Sequence, residues 1–383
     1  MDLLVTIVCF VLILILYANV MDEFKKSEDL EIYEMDYNIN NKSQIEEACK
    51  MRQPFFFEFA KVDPKLFQRM SFEEISREEN NDFLQIFDSN DFYNNNNNNK
   101  EESLQSFPLR FESAIHFMNS DKKKMYLTEK NGKGFMVETG LSLFLRNQMD
   151  RYFKPPFGNV NSEYDICFGS KGSSTPWRYH MHSRHFIAVT SGKLKVKMTP
   201  WKSSKNFQPY MDIENYDFLS KTNFSDKQES VGKCIDFTVN QGYILCIPAY
   251  WWYTKQFVTN DTFSFSATYD TLFNTIAHVD KILQYYWYHN FIIQKNVVFT
   301  KKDKKKEEIT TADDVLDLDD ADEVVVEEVE RRTVVSASSF GRQEEGLFGD
   351  TSTFGRQEEE EDREDREDRE YQEEQDVFHE IFI

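Results

Sequence analysis

The chain has no CxxC pair, and its five cysteines (Cys9, Cys49, Cys167, Cys234 and Cys246) are odd in number and widely spaced. The usual sequence signal for structural zinc is therefore missing. The expectation is reduced, mostly buried thiols in a reducing compartment. A surplus of positive charge is missing too. Of the 67 acidic and 45 basic residues, 29 and seven fall in 307–383, which leaves 38 of each in 1–306. The net charge of −22 thus belongs to the C-terminal tail, and the neutral body gives no basic face on which to argue for nucleic acid. Glycine (13) and proline (9) are scarce.

The apolar share is 40%, below the usual globular value. Aromatics are plentiful, with 35 Phe and 18 Tyr. Phe, Tyr, Asn, Lys and Ile share AT-rich codons, so part of this bias belongs to the genome and not to the fold.

The N-terminus lacks the marks of a cleaved signal. Leu3 to Val20 reads LLVTIVCFVLILILYANV, with Asp2 as the only preceding charge and no A-x-A site after it. Eighteen uncharged residues at about 1.5 Å each nearly cross a hydrocarbon core of about 30 Å. The expectation is an uncleaved single-pass anchor over 1–22. Lys25 and Lys26 follow it and place the bulk of the chain on the cytosolic side. The N-x-[ST] triplets at Asn41, Asn223 and Asn260 lend only slight weight to a lumenal location in so Asn-rich a chain.

Polar residues 23–49 read as a juxtamembrane linker. MRQPFFFEF (51–59) reads as a buried strand, 62–88 as partly helical, and GLSLFLRNQM (140–149) as a helix. The Asn run within 90–100 reads as a surface loop. From Tyr164 the rhythm is β. KLKVKM (193–198) alternates strictly, which puts Leu194, Val196 and Met198 on one face and three lysines on the other. CIDFTV, QGYILCIPAYWWYTKQF and TFSFSATYD follow, separated by Gly, Asn or Asp. Short strands with frequent turns predict a barrel or jelly roll. In 272–293 the period becomes helical, with Leu272, Ile276, Val279, Leu283 and Tyr286 on one stripe. From 299 to 383 the core-forming aromatics thin out, acidic runs and short repeats (SFGRQEE, TFGRQEE, EDR) take over, and the prediction is disorder.

The stretches RQPFFFEF, FGSKGSSTPW, VTSGKLKVKMTPWKSSK and GYILCIPAYWWYTKQF resemble the JmjC-type cupin-like domains. The likeness covers roughly residues 50–295, implies a cupin-like domain over 50–298, and is strongest to the cupin-like, membrane-anchored proteins of giant DNA viruses. It implies a mainly β, double-stranded β-helix (cupin or jelly-roll) fold with flanking helices. It also implies kinship with hydroxylases that use Fe(II) and 2-oxoglutarate.

The ligand positions depart from that family. With Thr175-Pro176 as anchor, the first histidine falls on Arg178, the aspartate on His180 and the distal histidine, after Trp251 and Trp252, on Tyr253. An arginine offers no lone pair to a metal. Leu194 occupies the phase of the lysine that would hold 2-oxoglutarate. The resemblance therefore implies a former iron site at Arg178, His180 and Tyr253, flanked by Thr175, His182, Arg184, His185, Trp251 and Trp252.

Three readings follow from these residues. The first is a non-enzymatic, membrane-anchored domain with a binding or virion role and no cofactor. In that reading a cationic pocket of Arg178, Arg184 and a histidine takes a small anion, or the domain takes a protein partner. The second is a metal-dependent oxygenase with Fe(II) and 2-oxoglutarate. It would use His180, His182 and His185 in an H-x-H register, since residues two apart share a strand face. The third is an architectural protein whose acidic tail makes the contacts. Tyr250, Trp251 and Trp252 read as core and rim, Lys195 and Lys197 as a solvated face, and His278 and His289 as ordinary helix residues.

Overall fold

A computed structural model describes residues 2–39, 43–77, 82–89, 106–213, 216–220, 222 and 232–293. The Asn-rich run, Asn41, Asn223 and the tail from 299 lie outside the described residues. Helix α1 (Asp2–Glu23) contains the apolar run. Its segment Leu3–Glu23 is long and apolar enough to cross a membrane, and the tested part of it is not buried against the protein.

The segment expected as a linker contributes to the body. Strand β1 (Tyr33–Glu34) runs parallel to β2 (Phe55–Glu58), and helix α2 (Ser43–Lys50) lies between them in sequence. Met35, Ile45 and Ala48 are buried in the same core as Phe55 and Phe57. Polar composition hid this, because one apolar residue per turn suffices to pin a short helix.

Helices α3 (Pro64–Arg69) and α4 (Phe72–Arg77) precede strands β3 (Phe83–Asp88) and β4 (Ser106–Arg110). Helix α5 (Phe111–Ser120), strand β5 (Tyr126–Thr128), and helices α6 (Phe135–Glu138) and α7 (Leu141–Phe153) follow. Leu141, Leu145, Met149 and Phe153 recur every four residues on α7 and are all buried.

The remaining strands are β6 (Asn159–Gly169), β7 (Arg178–Tyr179), β8 (Arg184–Ser191), β9 (Lys193–Thr199), β10 (Tyr210–Asp212) and β11 (Asp217–Leu219), then β12 (Ile235–Asn240), β13 (Tyr243–Ile247), β14 (Trp252–Phe257) and β15 (Phe263–Thr271). Helices α8 (Leu272–Ala277) and α9 (Val279–Trp287) close the described part, ahead of a π-turn. The strands form a nine-stranded sheet, β1-β2-β13-β8-β15-β6-β5-β3-β4, and a six-stranded sheet, β10-β11-β7-β14-β9-β12.

Eight strands pair in a nested, antiparallel way: β6 with β15, β7 with β14, β8 with β13 and β9 with β12. Alternation then sorts the side chains. On the larger sheet Tyr164, Ile166, Phe168, Phe186, Phe263, Phe265 and Tyr269 join the core formed with α7 and the other helices. Cys167, Ile187, Val189, Leu245 and Ile247 point the other way, into a second core shared with Leu194, Val196, Met198, Tyr253 and Phe257. Strand β9 thus follows its predicted alternation. Trp252, Trp177 and Phe207 form a separate cluster, with Trp252 stacked on Phe207 at 4.6 Å between centroids.

Gly192 joins β8 to β9 at φ 65°, and a Cβ there would meet Thr259 Oγ1 at 2.5 Å and Thr262 Cα at 2.7 Å. Both the left-handed backbone and the lack of space demand glycine. Gly192→Ala is expected to cost about 2–4 kcal/mol from strain plus overpacking. Denaturant unfolding checks this, and a loss below about 1 kcal/mol would show that the hairpin relaxes freely.

Candidate functional site

The predicted site residues divide between two faces of the sheets. Arg178 and Tyr253 are direct partners across β7 and β14 and so lie side by side. His180, His185 and Tyr253 converge, with ring centroids 4.7 Å apart for His180–His185 and 5.9 Å for His185–Tyr253. His182 is 5.6 Å from His180. Tyr179 turns away and stacks on Phe218 at 4.8 Å, as strand alternation requires.

Two of the expected pocket residues lie elsewhere. Arg184 precedes His185 on β8 and therefore takes the opposite face. Its Nη2 donates to Glu46 on α2 at 2.6 Å and its Nη1 to the Phe153 carbonyl at 2.8 Å. The cationic pocket that joined Arg178 and Arg184 is thus corrected: a sheet separates them. Trp252 packs with Trp177 and Phe207, not with the histidines. Trp251 is buried in the inter-sheet core and donates to the Arg52 carbonyl at 3.2 Å. Thr175 straps β14, since its Oγ1 accepts from Lys255 N at 3.0 Å and its carbonyl accepts from Thr254 at 2.6 Å.

The charge of Arg178 is already compensated. It is buried, its Nη2 donates to Glu129 at 2.7 Å, and Asp217 lies 3.8 Å from Nη1. Asp217 also pairs with Lys130 at 2.8 Å. Burial opposes ionisation of Glu129, but Arg178, Lys255 and Lys130 outweigh it and hold the carboxyl below its usual range. Lys255 is a buried lysine two residues beyond Tyr253 on the same inward phase. Its Nζ approaches Cys167 Sγ at 3.5 Å. Against burial, Cys167 and Glu129 keep the ammonium protonated. Asp165 accepts from the Lys130 and Asn131 amides at 2.7 and 2.8 Å, and burial pushes its carboxyl up to about 6.

The three histidines are not equivalent. His182 Nδ1 lies 3.0 Å from both oxygens of Asp270 at the end of β15. Burial disfavours its cation, but Asp270 overrides this and raises it to about 9. Burial, aided by the charge on His182, depresses His180 to about 3 and His185 well below its usual value. Both rings are neutral and buried, and none of their four nitrogens has a protein hydrogen-bond partner. The Ile247 backbone lies beside His180 but outside hydrogen-bond geometry.

This donor set does not suit a metal. Among the described residues no group of three or more His, Cys, Asp or Glu is arranged to hold one. His182, the third member of the H-x-H triad, is held through Nδ1 by both oxygens of Asp270, and its ring centroid stands 5.6 Å from that of His180. A guanidinium and an ammonium also sit in the same cluster.

Reasoning from sequence missed Glu129, Lys130, Asp165, Asp217, Lys255 and Asp270. Lys255 was findable, because Tyr253, Lys255 and Phe257 share one phase. Asp270 continues the phase of Ser264, Ser266 and Thr268. Glu129 and Asp217 come from chain segments remote from the histidine run and carry no local signal. Among the other residues, His278 is buried and accepts or donates at Tyr250 Oη, 2.6 Å away, while Lys195 meets Asp236 at 3.0 Å. All five cysteines are free, but only Cys167 and Cys246 are buried.

The chain matches no family model and no curated protein.

Proposed function

We propose that this chain is a membrane-tethered, cupin-like jelly-roll domain that binds a small polar ligand between its sheets and does not transform it. The nested pairing of first with last strand, second with seventh, third with sixth and fourth with fifth supports the jelly roll. Helix α1 supports the tether. Lys25 and Lys26 favour the cytosolic side, and the resemblance to giant-virus proteins favours a role at a host or virion membrane. The observation that carries the binding role is the pair of neutral, buried, unpartnered imidazoles of His180 and His185. Each can donate one hydrogen bond and accept another. Such groups are costly to bury unless something satisfies them. Because Glu129 and Asp217 already answer Arg178, the ligand is recognised by hydrogen-bond donors and acceptors, such as hydroxyl or amide groups, and not by net negative charge.

Native mass spectrometry of the detergent-solubilised full chain tests this. A co-purifying small organic mass is expected in the wild type and absent from His180→Phe/His185→Phe. Stoichiometric iron or zinc, with 2-oxoglutarate decarboxylation lost on His180→Ala, would overturn the proposal in favour of the H-x-H oxygenase.

A further inference from the structure

The helical stripe read from the sequence is not part of the core. Leu272, Ile276, Val279, Leu283 and Tyr286 are 38 to 61% exposed, although they recur at the spacing of one helical face. The opposite side of these helices is anchored. Asn274 Nδ2 donates to the Met181 carbonyl at 2.7 Å, and His278 is held by Tyr250. Phe157, 86% exposed, adjoins the stripe, because Leu272 N donates to the carbonyl of its neighbour Gly158 at 2.7 Å. Six large apolar side chains on one side of a polar body exceed the scattered exposure that needs no explanation.

What covers them is indicated by where α1 leaves the body. The last turns of α1 pack against α8. Glu23, the final residue of α1, is buried. It receives hydrogen bonds from Thr271 Oγ1, the N-cap of α8, at 3.3 Å and from Arg52 Nη2 at 3.1 Å. Phe24 meets His278, between α8 and α9, edge-on at 5.6 Å. Lys26 sits over the Trp201 ring, 4.0 Å from its centroid. The span is therefore clamped to the same helical corner that carries the stripe. A bilayer crossed by α1 begins beside Leu272, and Tyr286 and Trp287 at the far end are of the types that favour the membrane–water boundary.

We infer that α8 and α9 lie in the interfacial layer of the bilayer that α1 crosses, with the stripe and Phe157 turned into lipid. This seats the domain against the membrane as a peripheral amphipathic surface and not as a body on a free tether. The inference rests on reading α1 as a span.

The test uses the full chain reconstituted into phosphatidylcholine vesicles, with p-benzoylphenylalanine at Leu12, Ile276, Leu283 or Asp236 and photolysis. Lipid adducts are expected at Leu12, Ile276 and Leu283 and not at Asp236, which lies exposed on β12. Adducts at Leu12 alone would overturn the inference and leave the span standing. Cross-linked dimers at Ile276 or Leu283 in place of lipid adducts would assign the stripe to a second copy and overturn it too, as would equal labelling at Asp236. No adduct at Leu12 would remove the span reading and this inference with it.

Discussion

Glu129→Gln is expected to destabilise the protein by about 3–5 kcal/mol, the range for breaking a buried ion pair from one side. Glutamine keeps the shape of the side chain and removes its charge. Arg178, donating to Glu129 at 2.7 Å, would then face only Asp217 at 3.8 Å, and Asp217 is shared with Lys130. Lys255 would lose the carboxylate that helps keep its ammonium charged. Against a typical total stability of about 5–15 kcal/mol, this loss is a large fraction of the whole. Denaturant midpoints on the detergent-solubilised full chain measure it. The half-buried Glu58, ion-paired with the exposed Lys61, serves as a control whose Gln variant should change stability little. Adding Arg178→Met to Glu129→Gln should recover part of the loss, since the excess cation goes as well. A Glu129→Gln variant within about 1 kcal/mol of wild type would show that the cluster is wetter and less coupled than its burial implies.

The second large effect is acid sensitivity that begins well above the carboxylate range. A histidine in an unfolded chain takes a proton near pH 6.5. His180 is held down to about 3 and His185 well below its usual value, so below pH 6.5 the unfolded chain binds protons that the folded one refuses. Each such group removes about 1.4 kcal/mol of stability per pH unit, which makes about 4 kcal/mol for the pair by pH 5. Asp165 works the other way. Raised to about 6, it favours the folded state as pH falls from there towards its unfolded value, and returns about 1 kcal/mol by pH 5. The net expectation is a loss of about 3 kcal/mol between pH 6.5 and 5. At the other end, the His182–Asp270 pair contributes fully below pH 6.5 and loses its contribution as pH rises through about 9. The double variant His180→Phe/His185→Phe should lose the acid slope that these two rings supply and keep the smaller, opposite slope of Asp165. Stability measured across pH 5 to 8 decides the matter. An undiminished acid slope in the double variant would assign the sensitivity to other groups.

Local patterns in the chain were legible where one residue in two or one in four carries the signal. The alternation of KLKVKM and the four-residue repeat of α7 both reappear in the structure. The long apolar N-terminal helix was legible from length and hydropathy alone. Within 178–185 alternation put Arg178 and His180 on one face, and the family resemblance added Tyr253, yet neither said how their charges are met. That depends on Glu129 and Asp217, which arrive from the ends of β5 and the start of β11 through long-range packing. Arg184 was drawn into the site because it is close in sequence to His182 and His185. Strand phase, applied one residue further, would have sent it to the helix side. The segment 23–49 was underestimated for a different reason. Its apolar residues are few, and their partners, Phe55 and Phe57 among them, lie on strands that composition cannot align with it.

The nested strand order also bears on the route by which the chain folds. Pairing β9 with β12 closes the shortest loop of the four, and each later pair brackets the one before it, ending with β6 and β15. Loop closure favours zipping from the inside outward, at the slow rates of sheets rich in non-local contacts. Strand β15 is the last of the described strands and carries Asp270, so the carboxylate that charges His182 joins after the other three pairs. Until then the face formed by Phe186 and Ala188 on β8 is bare along one edge. A growing chain in this state is an unfinished sheet with a ready edge for a neighbouring copy, and synthesis beyond residue 271 is what closes it.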